Sequence, residues 1–294
     1  MRTLLLSVLL LLAACQSQPV LAPVPQWQSP QGREHADLGQ IIDLRSGTHL
    51  TPEQLVTRLA TAPRVLVGEQ HDNPDHHALQ LWLLGALEAR RPQGSLLLEM
   101  LAASQQPQVD DVKQQLREGL QIADLPKALE WSNGWPWALY GPIVHHGLAQ
   151  DYPLRAANLD RAEIMAIYRQ QPLLRGKAST ATAVQEPLLA QIRESHCDKL
   201  PISQLPAMLA VQQQRDRRMA EQLLQAPLPA MLLAGAYHVR QDLGVPLHLR
   251  DLGAPSSTQV LILSEVGKPV TAEQADYVWY TAALPPEDHC AQFR

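Results

Sequence analysis

Positive charge and cysteine are scarce in this sequence. Its 294 residues contain 24 Lys and Arg against 29 Asp and Glu, which gives a formal net charge of −5. Nucleic-acid-binding domains need a basic surface to meet the phosphate backbone. The composition therefore predicts no nucleic-acid partner, while a hydrophobic content of 46% is enough for a sizeable core.

Several motifs for metal binding and catalysis are also missing. The three cysteines form no Cys-x-x-Cys pair, so neither the usual structural zinc motif nor the Cys-x-x-Cys-His motif that attaches haem is present. Any haem that the chain binds is therefore held non-covalently. The lack of a Gly-x-Ser-x-Gly motif argues against a serine hydrolase.

The N-terminus has the three parts of a secretory signal. Arg2 gives a positive start, and residues 4–12 form an apolar run that is too short to span a bilayer. The exit, Leu12-Ala13-Ala14-Cys15, resembles the lipobox of bacterial lipoproteins. The resemblance implies a signal peptide over residues 1–14, lipidation of Cys15 with palmitate, and an outer-membrane location, because Gln16 rather than Asp follows. An ordinary signal peptide and a buried apolar strand are weaker alternatives.

Short apolar runs alternate with helical stretches over most of the remaining chain. Continuous apolar runs are typical of parallel strands that are buried on both faces. They predict six strands, at residues 65–68, 95–98, 153–157, 230–235, 259–263 and 277–280. Helices are predicted over residues 74–91, over 107–150 with breaks at Pro126, Pro136 and Pro142, and over most of 160–226.

These elements predict an α/β fold over residues 36–294, with a mostly parallel central sheet flanked by helices. The helical excursions are longer than a minimal crossover, so we expect some of them to form a cap or lobe. Residues 15–35 are rich in Gln, Pro and Ser, and we expect them to be a flexible tether between the lipid and the domain.

Polar side chains follow four of the predicted strands, and ligands bind at the carboxyl ends of strands in open parallel sheets. The residues at these ends are Glu69, His71, Glu99, Asn158, His238 and Arg240. Acidic groups beside apolar strands are costly unless they are paired or bind a ligand. We expect Glu69, His71, Glu99 and His238 to share a site for general acid–base catalysis or for a divalent metal. Asn158 and Arg240 are expected to support it.

Histidine and aromatic residues form a second group of candidates. His76 and His77 begin the helix after the first strand, and residues 131–146 contain three Trp, Tyr140, His145 and His146. Tyr and His are known haem iron ligands, and indole rings suit a flat aromatic ligand. A patch that merely covers the core is an equal alternative. Arg215-Asp216 is expected on a solvated, salt-bridged helix face, and placement of these charges against the acidic strand ends stays open.

Cys197 and Cys290 remain once Cys15 carries lipid. Two cysteines in an oxidising periplasm can pair. Each follows a histidine, His196 and His289, so metal binding is the alternative. A disulfide that pins the C-terminal tail to the body of the domain is the favoured interpretation.

Several segments in order resemble the ChaN-like haem-binding lipoproteins, within the wider Tiki and erythromycin-esterase-like superfamily. The segments are Val65–Asn73 with His76-His77, Leu98-Glu99-Met100, Ser132–Trp137 with Tyr140, Ala156–Leu159 with Arg161, Arg215-Asp216 with Met219-Ala220, and Ala234–Arg240 with Asp242 and Gly244-Val245-Pro246. The resemblance implies an α/β domain that binds haem for iron uptake beside a haem receptor or transporter, in some members as a homodimer. It offers Tyr140, His76, His77 and His145 as candidate haem ligands.

Two functions therefore stay open. One is a lipid-anchored module that captures haem. The other is a periplasmic hydrolase, metal-dependent or using the Glu and His side chains directly, at the strand-end site.

Overall fold

An eight-stranded sheet forms the centre of the protein, which a computed structural model describes over residues 20–255, 257–288 and 290–291. Its strand order is β2-β1-β8-β7-β3-β6-β4-β5. The strands are β1 (Ile41–Asp43), β2 (Thr48–Leu50), β3 (Arg64–Glu69), β4 (Ser95–Ala102), β5 (Leu154–Asn158), β6 (Ala230–Gly235), β7 (Thr258–Glu265) and β8 (Tyr277–Thr281). The six strands from β3 to β8 run parallel to their neighbours, and β1 and β2 add an antiparallel edge. The predicted α/β fold with a mostly parallel sheet is confirmed.

The six apolar runs became the six parallel strands because each is buried on both faces. Every residue of β3 and β6 is buried, which leaves no polar face to produce an alternating pattern. The hairpin of β1 and β2 was missed. Its strands have three residues each and include exposed Thr48 and His49, so they carry too little apolar signal.

Helices cover both faces of the sheet. They are α1 (Pro52–Leu59), α2 (Pro74–Glu88), α3 (Gln106–Arg117), α4 (Leu125–Ala128), α5 (Trp137–Ala149), α6 (Arg161–Gln170), α7 (Thr182–Ser195), α8 (Leu205–Gln225), α9 (Ala236–Val239) and α10 (Val245–Asp251). One core cluster includes residues of α1, α2, α3 and α5, and a second includes residues of α8 and α10. A third, small cluster joins α7 to α8 through Leu188 and Leu209. This last cluster is the centre of the predicted lobe.

Two prolines in the helical regions lie at different positions in their helices. Pro74 occupies the first turn of α2, where Asn73 caps the helix by accepting a hydrogen bond from the backbone N–H of Asp75 at 2.9 Å. Pro142 was expected to break a helix but lies inside α5. There it removes the one hydrogen bond that its missing N–H would donate, and the helix continues to Ala149.

Residues 20–35 pack on the domain, in contrast to the flexible tether that the composition suggested. The indole N–H of Trp82 donates to the Ala22 carbonyl at 2.8 Å, and the Ser29 backbone N–H donates to the Asp75 carboxylate at 3.0 Å. Ser29 is buried, and Trp27 packs against the core. The docking results from these specific contacts, which composition does not report. The predicted signal peptide, Cys15 and residues 16–19 lie outside the described residues.

A disulfide joins Cys197, just after α7, to Cys290 in the C-terminal tail, with their Cα atoms 5.6 Å apart. The tail is thereby held against the helical lobe, as the cysteine count suggested. None of the described helices is long and apolar enough to cross a membrane.

Candidate active site

The four acid–base candidates meet around Gly235, where the pairing of three adjacent strands ends. Glu69 is the last residue of β3, and Glu99 follows Leu98, the last residue of β4 that pairs with β6. Strand β6 lies between β3 and β4, and Glu69 pairs in register with Gly235. A Cβ atom on Gly235 would lie 2.7 Å from Cε1 of His71 and 3.6 Å from Oε2 of Glu99. Glycine at this position therefore lets the histidine and the carboxylate approach the backbone of the central strand.

Glu69 orients His71. Oε1 of Glu69 lies 2.6 Å from Nδ1 of His71 and accepts a hydrogen bond from the Tyr140 hydroxyl at 3.2 Å. The side chain of His71 is 47% exposed whereas that of Glu69 is fully buried. Burial by itself would lower the pKa of His71, but the hydrogen bond and charge of Glu69 outweigh it and raise that pKa. Since Nδ1 is engaged by Glu69, Nε2 is the nitrogen that can exchange a proton with a ligand.

Glu99, His238 and Asp216 form a buried charged triad. Nδ1 of His238 lies 2.5 Å from Oδ1 of Asp216, and Nε2 lies 3.3 Å from Oε1 of Glu99. Burial disfavours the imidazolium, but the two carboxylates outweigh burial and raise the pKa of His238 to about 10. Burial would likewise raise the pKa of Glu99, yet His238, His71 and the Gly235 N–H at 2.7 Å lower it to about 2. His238 is therefore a cation and Glu99 an anion at neutral pH.

Asp216 belongs to the site, although a solvated helix face was the favoured prediction for it. It is fully buried, not on a solvated face. The spacing of α8 contains a signal for this, because the buried residues Leu209, Gln213, Asp216, Ala220 and Leu223 recur every three or four positions. That periodicity puts the carboxylate on the core-facing stripe of the helix.

The supporting residues have three different roles. The Asn158 side chain donates to the Glu99 backbone carbonyl at 3.0 Å and so links β5 to β4 beside the site. Arg240 forms two hydrogen bonds with Asp242, at 2.9 and 2.6 Å, and does not reach the strand-end carboxylates. Arg215 lines a cavity beside Glu99.

Three of the four predicted haem ligands are buried among protein groups. Tyr140 is fully buried, and burial, followed by the charge of Glu69, raises its pKa far above the ordinary value. His76 is also fully buried, accepting from the Gln70 backbone N–H at 2.8 Å with Nε2 2.9 Å from the Thr281 hydroxyl. His77 is 3% exposed and stacks edge-on against Tyr140. Only His145 of the four is exposed, with its ring 5.9 Å from that of Trp137.

A metal at the strand ends is not supported. Among the described residues, no group of three or more His, Cys, Asp or Glu side chains is arranged to hold a metal ion. The donor atoms explain this, because Oε1 of Glu69 and both oxygens of Glu99 already accept hydrogen bonds from the protein or pair with a histidine. The site is suited to proton transfer between carboxylate and imidazole groups.

A cavity of about 690 Å³ opens beside His71 and His238. Its wall also includes Tyr237, Arg240 and Lys268. Tyr237 is 41% exposed, and the guanidinium carbon of Arg240 is 5.4 Å from the centre of its ring. The candidate acid–base groups are therefore open to a ligand from this side.

Residues 55–249 match the family described as haem-binding uptake, Tiki superfamily, ChaN. Among solved structures, the ChaN protein of Campylobacter jejuni, described for its cofacial haem binding, has a TM-score of 0.76 and 30% sequence identity, covering 86% of this chain and 98% of that one. A mutant of the erythromycin esterase EreC gives a TM-score of 0.45 at 14% identity, covering 82% and 81%. No protein of curated function matches the sequence significantly. The chain belongs to the ChaN family of haem-binding uptake proteins, within the Tiki superfamily.

Proposed function

We propose that this protein binds haem non-covalently and serves in bacterial haem or iron uptake. The supporting observation is the family match over residues 55–249, together with the 30% identity to a protein described for cofacial haem binding. Transfer of haem to or from a receptor or transporter, and assembly as a homodimer, are parts of the proposal.

An accessible side chain must bind the iron, and Tyr237 fits this requirement best. A haem ligand needs a Tyr oxygen or His nitrogen that can project from the protein. Tyr237 is 41% exposed beside the cavity of about 690 Å³, and concave surfaces bury more of a flat ligand than convex ones. His145, which is exposed on α5, is the alternative.

The Tyr237→Phe variant is expected to weaken haem binding by at least about tenfold, because the lost iron bond contributes more than ~1.4 kcal/mol. A haem titration of the domain from residue 16 onward, followed by the Soret band, measures this. Tyr140→Phe is the matched control and is expected to keep the saturable shift, since Tyr140 is buried. Loss of the shift in His145→Ala alone would assign the iron to His145, and no saturable shift in the unsubstituted domain would refute haem binding.

We also propose that Cys15 is lipidated and anchors the protein in the outer membrane. The proposal rests on the Leu12-Ala13-Ala14-Cys15 motif and on Gln16. Cys15→Ser is expected to abolish palmitate labelling and to move the protein out of the membrane fraction. Gln16→Asp should keep the label but move the protein to the inner membrane. Labelling of the Cys15→Ser variant would contradict the proposal.

A second candidate function is hydrolysis at the strand-end site, and the orientation of His71 by Glu69 favours it. With its Nδ1 proton donated to Glu69, His71 presents the Nε2 lone pair, which can take a proton from water as the water adds to an ester or amide carbonyl. The His238 cation, held between Glu99 and Asp216, supplies positive charge close to this point. The arrangement of a base oriented by a carboxylate is the one that acyl-transfer enzymes use.

The His71→Ala variant is expected to lose about 10²–10⁴-fold in hydrolytic rate, the usual contribution of a general base. A screen of chromogenic esters and amides identifies a substrate, and the rate should rise with pH through a pKa above 6.5, since that of His71 is raised. His145→Ala, an exposed histidine on α5, is the control and should leave the rate unchanged. If His71→Ala and Glu99→Gln alter only the stability, the site is not catalytic.

A further inference from the structure

We infer that a cavity beside Glu99 is a subsite for a carboxylate group, and that Arg215 holds this group. The inference rests on the hydrolytic function proposed for the strand-end site and deepens it. It names the substrate class as an ester or amide that also carries a free carboxylate.

The cavity adjoins the acid–base groups directly. It has a volume of about 340 Å³, and its wall includes Glu99 of β4, Asn158 at the end of β5, the indole of Trp135, and Arg215 and Arg161. Arg215 immediately precedes Asp216, which is hydrogen-bonded to His238. Helix α8 therefore fixes the backbone of Arg215 relative to the charged triad. The ring of His71 lies 4.9 Å from that of Trp135 in the wall, so a ligand in this cavity lies next to the candidate base.

Arg215 has no ionic partner in the described part of the chain. Its Nε is buried without a hydrogen bond, whereas the next two arginines of α8 are both paired, Arg217 with Glu221 and Arg218 with Glu163. A partly buried guanidinium without a partner is costly. A carboxylate matches its donor geometry and can be bound through two parallel hydrogen bonds.

The acidic side chains in the wall do not fill this role, because each is held elsewhere. Glu99 accepts from the Gly235 N–H and pairs with His238. Asp160 accepts from the Ser104 backbone N–H at 2.9 Å and caps α6. Glu130 accepts from the Gln108 side chain at 3.2 Å. The guanidinium of Arg215 is thus left for a ligand, with Arg161 contributing a second positive charge.

Calorimetric titration with 3-phenylpropionate and its neutral counterpart 3-phenylpropionamide tests the subsite. The phenyl ring suits the wall formed by Trp135. We expect the acid to bind more tightly than the amide, and Arg215→Gln to weaken the acid by about tenfold or more, the loss typical of a charge-assisted pair. Arg217→Gln is the matched control on the same helix and should leave both affinities unchanged.

Equal affinity for acid and amide, or an equal loss in Arg215→Gln and Arg217→Gln, would overturn the inference. Because binding is measured without turnover, inactivity towards esters would remove the hydrolytic function and leave the carboxylate subsite standing. Haem titration of Arg215→Gln distinguishes the source of the carboxylate. If Arg215→Gln binds haem more weakly, and the unsubstituted protein binds haem dimethyl ester equally weakly, the subsite holds a haem propionate. If Arg215→Gln binds haem with unchanged affinity, the subsite holds a separate acid.

Discussion

The His238→Leu variant is expected to lose about 3–5 kcal/mol of unfolding free energy at neutral pH, the cost of leaving buried charges unpaired. Glu99 and Asp216 are 1% and 0% exposed, and His238 is the cation between them. Its removal leaves the Glu99 anion without the cation beside it and leaves Asp216, whose pKa burial already raises, without a partner for its carboxyl group. Urea unfolding followed by circular dichroism measures the loss.

The His238→Leu variant should also differ from the unsubstituted protein in how its unfolding free energy depends on pH. The folded pKa of His238, about 10, exceeds the ordinary 6.5, so its stabilisation is complete below pH 6.5 and is lost as pH rises towards 10. The folded pKa of Glu99, about 2, is below the ordinary 4.5, so its stabilisation is lost as pH falls from 4.5 to 2. Both contributions are complete between pH 4.5 and 6.5, so the unsubstituted protein should be most stable in that range. The His238→Leu variant should instead gain stability as the pH falls from neutral, because its buried carboxyl groups become protonated.

His248→Leu is a matched control for this experiment. His248 in α10 is also buried, but neither ring nitrogen has a hydrogen-bond partner among the described residues. Replacing an unsatisfied buried polar group by an apolar one of similar size is close to neutral or stabilising. A similar loss in both variants would mean that packing, and not the charge of His238, stabilises this region.

The strand-end site could be predicted from the sequence because its position follows from topology. Parallel strands end at the same edge of a sheet, so Glu69, Glu99 and His238 had to converge once the apolar runs were assigned to strands. The same argument does not show which hydrogen-bond or ion-pair partner each of these side chains has. Asp216 comes from a helix on one face of the sheet, and its contact with His238 depends on the rotation of α8.

Three of the candidate haem ligands are buried, which could not be predicted because residue type does not determine burial. His76 and His77 lie on a helix that is buried on nearly all sides, so they serve as hydrogen-bonding groups inside the core. Tyr140 supports Glu69 through its hydroxyl. The docking of residues 20–35 was missed for a related reason, since the Asp75 carboxylate that binds the segment lies 46 positions from Ser29.

Removing the disulfide by the paired substitutions Cys197→Ser and Cys290→Ser is expected to lower the free energy of unfolding by about 4–5 kcal/mol. The two cysteines are 93 residues apart, and in the chain-entropy account a cross-link that closes a loop of this length restricts the unfolded chain by that amount. The closed loop contains α8, β6 and α9, and hence Asp216 and His238. Loss of the bond should therefore lower the stability of the charged triad along with that of the lobe.

Chemical unfolding with and without a thiol reductant separates this effect from the loss of side-chain packing. The unsubstituted domain in reductant should match the double variant in either condition, because all three samples lack the cross-link. A double variant that remains as stable as the oxidised protein would show that the tail is held by its other contacts. A triad that needs the cross-link requires an oxidising compartment, which is the compartment that the signal sequence predicts.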